Sequence, residues 1–306
     1  MDEICAGLPH ISADVVKDVV RNDNDFFWDA KGYYFHMDCF EASDDELEQI
    51  SRFIADEIEK EGYALWPRIY DCIVEEMPIF LENNAYLSSL GIRNAVSRKL
   101  SHAFSFKSAI ISTKASPLDT TGAFRMYAKH HRTFTIEEIN QFAKEFESVI
   151  YYEALAEESI RVNRDLFVAK DMVFFDVDAI DYAISTFFSG EYILMKDMDS
   201  FLVFPVIGYP WNQFLLESFI HGYSRNYELI NNGYSRNIVP GAIVKMDSHL
   251  NEFVDVVAAV LADSSIELKE TAAISFLVEN NLIVNKRYGD IGRALEKARR
   301  IRNRKG

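Results

Sequence analysis

The chain has little that commits it to a particular chemistry. Its three cysteines, Cys5, Cys39 and Cys72, show no Cys-x-x-Cys spacing. Such a scattered, odd set excludes a disulfide framework and a cysteine zinc site, and it fits a reducing compartment. No run approaches the roughly eighteen apolar residues of a membrane span. The start, MDEICAGLPH, is acidic and lacks the basic and apolar regions of a secretory signal, so the expectation is a cytoplasmic protein. Positive charge is scarce: 32 Lys and Arg against 48 Asp and Glu leave a net charge of −16. Phosphate contacts need clustered cations, so a surface that is a nucleic-acid platform throughout is excluded, and any such contact must be local. The patterns GxxxxGKS/T, GxSxG, HExxH and GxGxxG are missing. Phosphate-loop, nucleophile-elbow, zincin and dinucleotide chemistry therefore have no motif to rest on, and an enzyme would have to assemble its site from dispersed residues. No cofactor and no metal site is expected.

What is present is apolar and repetitive. Hydrophobic residues make up 49% of the 306 positions, enough for two or three packed domains. The stretch Arg21 to Asp38, RNDNDFFWDAKGYYFHMD, recurs at a constant offset of 140 as Arg161 to Asp178, RVNRDLFVAKDMVFFDVD. Arg21, Asp25, Phe27, Phe35 and Asp38 meet Arg161, Asp165, Phe167, Phe175 and Asp178, which marks a building unit. Each copy reads as a short helix followed by a hairpin of aromatic strands, Phe26-Phe27-Trp28 with Tyr33-Tyr34-Phe35 and Phe167-Val168 with Val173-Phe174-Phe175. A second match joins Leu100 to Ser105, LSHAFS, and Phe219 to Ser224, FIHGYS. Its histidines, His102 and His221, read as structural caps. The pentapeptide GYSRN occurs at Gly222 to Asn226 and at Gly233 to Asn237, too close together for a domain repeat.

Apolar spacing and capping residues predict the elements. Val15, Val16, Val19 and Val20 form a helical stripe after a Ser12 cap. Capping boxes at Ser43 to Glu46 and Thr135 to Glu138 open helices reaching about Glu61, where Gly62 stops the chain, and about Glu147. Helices are also expected over 67–76, 87–103, 179–188, 211–223, 250–262 and 269–280. Strands are expected at Tyr63 to Leu65, Phe104 to Ser112, Ala123 to Lys129, Val149 to Tyr151, Glu191 to Met195 and Ile238 to Met246, with extended chain at Ser265 to Leu268. Residues 113–122 and Lys129 to Arg132 read as loops. The fold class is mainly α with short β-hairpins, an α+β chain of tandem modules over 1–42, 43–132, 133–178, 179–248 and 249–306. The recurring order is a helix, a short strand, one or two helices and a hairpin. The first module has only one helix and its hairpin, and the last is helical and ends in a basic helix from about Tyr288.

With that order, those paired aromatic strands and an acidic balance, the chain resembles a tandem array of bacterial winged-helix domains of the HARE-HTH type found in the RNA polymerase delta subunit. The resemblance implies a module that binds duplex DNA or docks onto a protein of the transcription machinery. The incomplete first module implies either a degenerate copy or the C-terminal part of something longer.

Two groups of residues follow as candidates. The helix Gly91 to His102 carries Arg93, Asn94, Ser97, Arg98 and Lys99, with Lys107 on the next strand, while Leu90, Ile92, Val96 and Leu100 suit a core. The helix before a winged-helix hairpin enters the major groove, where Arg reads guanine and Asn adenine. The same side chains also read as an ordinary solvated face. The segment Lys286 to Lys305 holds Arg293, Lys297, Arg299, Arg300, Arg302 and Arg304 against Asp290 and Glu296, the clearest charge asymmetry in the chain. It reads as a phosphate-binding helix, as a partner for an acidic face of this or another protein, or as a solvated helix end. Asp176-Val177-Asp178 resembles an Asp-x-Asp metal pair, but Asp176 aligns with His36, so capping is the expectation. Three functions remain: DNA binding or transcription, a protein-interaction scaffold or nucleic-acid mimic, and an enzyme. Convergent basic residues favour the first. An exposed apolar patch favours the second, and a concave pocket with perturbed titratable groups favours the third.

Overall fold

A computed structural model describes residues 10–305 and divides them into two compact units. One runs up to His130 and includes Gln141–Tyr151; the other holds His131–Asn140 and continues from Tyr152. Cys5 lies outside the described residues. The class is α+β, helices with small antiparallel sheets.

In the first unit, helix α1 (Ala13–Asn22) starts where the Ser12 side chain accepts from the Val15 amide. Val16 and Val20 are buried but Val15 and Val19 are exposed, so only one edge of the expected stripe packs. Strands β1 (Phe26–Trp28) and β2 (Tyr34–His36) pair as a hairpin. Helix α2 (Asp44–Glu61) opens on a complete capping box between Ser43 and Glu46, and Gly62 closes it at φ 81°, a left-handed conformation that glycine adopts without strain. Then come β3 (Ala64–Leu65), α3 (Trp66–Glu76), α4 (Pro78–Asn83), α5 (Ser89–Lys99), β4 (Phe104–Lys107) and β5 (Ile110–Thr113). The sheet order is β3-β5-β4, so the first strand pairs with the last. Phe27 from the hairpin is buried in one core with Ile50, Trp66, Phe80, Ile92 and Val96.

The strands expected at 123–129 and 149–151 are not formed. Residues 123–129 lie in helix α6 (Thr120–His130), where Ala123, Phe124, Tyr127 and Ala128 are buried at i, i+1, i+4 and i+5, a helical period, and the Asp119 side chain accepts from the Gly122 amide. Val149 to Tyr151 is irregular chain; the strand is β6 (Thr133–Thr135), which runs directly into α7 (Ile136–Glu145) through the expected box of Thr135 and Glu138.

In the second unit, α8 (Tyr152–Ala156), β7 (Ser159–Arg161) and β8 (Leu166–Ala169) follow, and the sheet order is β6-β8-β7. The second copy of the repeat is therefore not a hairpin between 167–168 and 173–175. Strand and following 3-10 turn keep their places, 26–28 with 30–32 and 166–169 with 170–172, but β8 pairs with β6 and β7. Local conformation follows the repeated residues, whereas pairing depends on which edges lie nearby. Next come α9 (Val177–Ser185), capped by Asp176, β9 (Tyr192–Leu194), α10 (Gln213–Gly222), β10 (Tyr227–Ile230) and β11 (Ala242–Lys245), in sheet order β10-β11-β9. The helices α11 (Phe253–Asp263), α12 (Glu270–Glu279) and α13 (Ile291–Lys305) complete the described chain, and 265–268 forms no strand. Among the described residues the order helix, strand, one to three helices, hairpin occurs three times, over 44–113, 120–169 and 177–245, each time with the first strand hydrogen-bonded to the last. The second set begins at α6, which the expected strand at 123–129 had assigned to the preceding module.

Candidate functional site

The expected groove-reading face of α5 is occupied by the chain's own N-terminal segment. Asn94 Nδ2 donates to the Trp28 carbonyl at 2.7 Å. Arg98 donates to Asn24 Oδ1 at 2.9 Å and to the Arg21 carbonyl at 3.3 Å. Arg93 donates to Asn94 Oδ1 at 2.9 Å, its guanidinium lies 6.0 Å from the Phe106 ring centroid, and burial pulls its pKa below the usual value. Ser97 Oγ donates to the Asn94 carbonyl of its own helix. Lys99 and Lys107 are exposed. Asp29 is buried at the start of α5, where it accepts from the Ser88 amide and hydroxyl, and a Cβ on Gly91 would stand 2.6 Å from Asp29 Oδ1. Only glycine admits the hairpin at that distance. Peeling it away would also expose Phe27, which is 2% exposed.

The basic helix α13 is likewise engaged within its own unit. Arg293 pairs with Glu252 at 3.0 Å, Lys297 with Asp255 at 2.5 Å and Arg300 with Glu296 at 4.0 Å, while Arg299 donates to the Leu268 carbonyl at 2.7 Å. Arg302 donates to the carbonyls of Leu261, Ala262, Ser264 and Ile266 at 2.7–3.2 Å, satisfying acceptors at and beyond the C-terminal end of α11. Arg304 stays exposed. Of the three readings of this helix, pairing with acidic residues of the same chain describes Arg293 and Lys297, while Arg299 and Arg302 are taken up by backbone carbonyls.

A concave site with perturbed titratable groups lies elsewhere, in the second unit between α8, β7, α10 and the loop after β10. It is a cavity of about 340 Å³ whose lining includes Tyr152, Arg161, Glu217, His221, Tyr223 and Tyr234. Arg161 is buried and held on three sides: its guanidinium donates to the carbonyls of Ser235, Arg164 and Arg236 at 2.7–2.9 Å, and it lies 4.1 Å from the Phe214 ring centroid. Its Nε is buried without a partner, as is Oε1 of Glu217. Glu217 is 3% exposed, and burial pushes its pKa up to about 7 although the charge of Arg161 pulls the other way. One helical turn on, the His221 side chain is exposed at the cavity mouth, and partial desolvation there pulls its pKa below the usual imidazole value, with Glu153 opposing. The rings of Tyr152 and Tyr234 stack at 5.6 Å, and burial pushes Tyr234 up to about 12. A carboxyl that changes charge near neutrality can accept or donate a hydrogen bond with little cost, and it responds to whatever partner it meets.

None of these cavity residues was a sequence candidate, but signals were there. Both GYSRN copies contribute: Tyr223 and Tyr234 line the cavity, and Ser235 and Arg236 supply carbonyls to Arg161. Glu217 and His221 are spaced i, i+4, which puts both on one face of α10. Asp176 accepts from the Ala179 amide, the expected capping role. Among the described residues, no cluster of three His, Cys, Asp or Glu side chains is placed to hold a metal ion, and no helix is long and apolar enough to cross a membrane. Compared with protein-family models, with curated proteins and with solved structures, the chain matches none.

Proposed function

We propose that the chain is a binding protein built of tandem winged-helix modules, that it docks onto a basic protein partner, and that it does not read duplex DNA through α5. The threefold element order with its first-to-last strand pairing supports the modular part of this reading. The net charge of −16 supports a basic partner. One observation carries the docking: a loop in the second unit presents Leu202, Val203 and Val206 at 95%, 58% and 98% exposure. The loop does not display them by being loose. Phe204 is buried between Phe201 and Trp211, with ring centroids 5.2 and 4.9 Å away, and Trp211 Nε1 donates to the Pro205 carbonyl at 2.7 Å. Apolar side chains held outward on a pinned loop, next to Asp197 and Asp199, lose little further freedom when a partner covers them.

The variant Leu202→Asp/Val206→Asp tests this. It changes only exposed side chains, so its melting temperature should equal that of the parent. Immobilised parent chain should retain a basic protein from an extract, and the double variant should retain it about tenfold less or worse. Equal retention by both chains would remove the loop from the interface and with it the reading.

A further inference from the structure

We propose that the cavity beside α10 is a binding site for a small zwitterion of the amino-acid class, its ammonium facing Glu217 and its carboxylate facing Arg161. Two unsatisfied atoms of opposite kind belong to residues that line one cavity. Glu217 Oε1 is an acceptor and Arg161 Nε a donor, both buried and both without a partner. A guanidinium has five N–H donors, and three hydrogen bonds to backbone carbonyls are formed here, so Nε and one further N–H remain for a ligand. Those three carbonyls also fix the group in place, so no reorganisation is needed when an anion arrives. A buried polar group left unpaired is costly, and a ligand that supplies both missing partners removes two such costs at once.

Charge balance selects the class. Arg161 from β7 and Lys170 after β8 oppose Glu217 on α10, Glu153 on α8 and Glu157 just beyond its end, and the pKa of His221 lies below the usual imidazole value. A plain cation would satisfy Glu217 and face Arg161 unpaired; a plain anion would do the reverse. A molecule carrying both charges meets each where it stands. Size and walls narrow it further. About 340 Å³ is at the small end of ligand sites and suits a single small molecule. The Tyr152, Tyr223, Tyr234 and Phe167 rings offer apolar surface, so an amino acid with an aromatic or aliphatic side chain fits better than a polar one. The binding site is independent of the docking loop, and either stands if the other fails.

Binding should be coupled to protons. An ammonium beside Glu217 favours its carboxylate, so the ligand displaces the proton that the empty site holds near neutrality, and affinity falls as pH drops below about 7. The test is titration calorimetry of the intact chain with L-phenylalanine and L-leucine, alongside 2-phenylethylamine, which lacks the carboxylate, and 3-phenylpropanoate, which lacks the ammonium. Runs at pH 7 in two buffers of different ionisation enthalpy read the proton release. At least one amino acid should bind saturably and release protons, with each half-molecule weaker by about tenfold or more. Glu217→Gln, confirmed folded by its melting transition, should lose amino-acid binding and proton release together. No saturable binding by the parent chain, phenylethylamine binding as tightly as phenylalanine, or unchanged binding in Glu217→Gln would each overturn the proposal; the first would mean that water alone fills the cavity.

Discussion

Glu217→Gln should stabilise the protein, by an amount that grows with pH. The Glu217 carboxyl is buried, its Oε1 has no partner, and its pKa lies at about 7 where an exposed glutamate has 4.5. The folded chain therefore holds this proton more tightly than the unfolded chain does. The stability that goes with the protonated form is complete below 4.5 and is lost as pH rises from 4.5 through 7. At about 1.4 kcal/mol per pH unit, the loss amounts to roughly 3 kcal/mol. Glutamine keeps the shape and does not titrate, while every other group titrates in both proteins and cancels in the difference. Denaturant unfolding at pH 4.5, 6 and 8 should show the variant gaining over the parent at each step, toward roughly 3 kcal/mol at the highest pH. A parent protein that instead gains on the variant as pH rises would mean that Glu217 is ion-paired in the fold, and the description of the cavity would be wrong.

Arg302→Ala should destabilise by about 2–4 kcal/mol, because four backbone carbonyls at and beyond the end of α11 lose a charged donor at once. Arg304→Ala, two residues along the same basic run but exposed, should change stability by less than about 0.5 kcal/mol. Equilibrium unfolding of the two variants compares them directly. Equal, negligible effects would return Arg302 to the set of cations available to an external phosphate.

The elements that sequence reasoning placed correctly are those fixed by neighbours in the chain. Ser12, Ser43, Thr135 and Asp176 cap helices through amides three residues ahead, and Gly62 stops α2 by its own conformation, so a few residues hold all the needed information. Helix α6 was missed because TTGAFRMYAKH opens on the weak helix formers Thr120, Thr121 and Gly122 and mixes aromatic residues among its strong helix formers. Pairing was missed for a different reason. Phe167 is held by β6 and β7, so a hairpin inferred from resemblance to Phe27 had the right strand and the wrong partner. Donors on α5 were visible in Arg93, Asn94 and Arg98; the acceptors that take up Asn94 and Arg98, Trp28, Asn24 and the Arg21 carbonyl, come from 66 to 77 residues earlier. The cavity has the same character, since Arg161, Glu217 and Tyr234 converge only after two strands and a helix are in place. Polar residues announce their chemistry in a sequence, but whether that chemistry faces a ligand or the protein itself is decided by long-range contacts.

The closing of α5 by the N-terminal hairpin is the claim on which the functional reading turns, and fluorescence anisotropy of a labelled random-sequence duplex at low and moderate salt tests it most directly. The intact chain and Arg93→Glu/Arg98→Glu should both fail to bind saturably at low salt, because the side chains altered are already committed to Asn94, Asn24 and the Arg21 carbonyl. Salt-dependent binding by the intact chain that the double variant loses would contradict the account and put α5 in the groove.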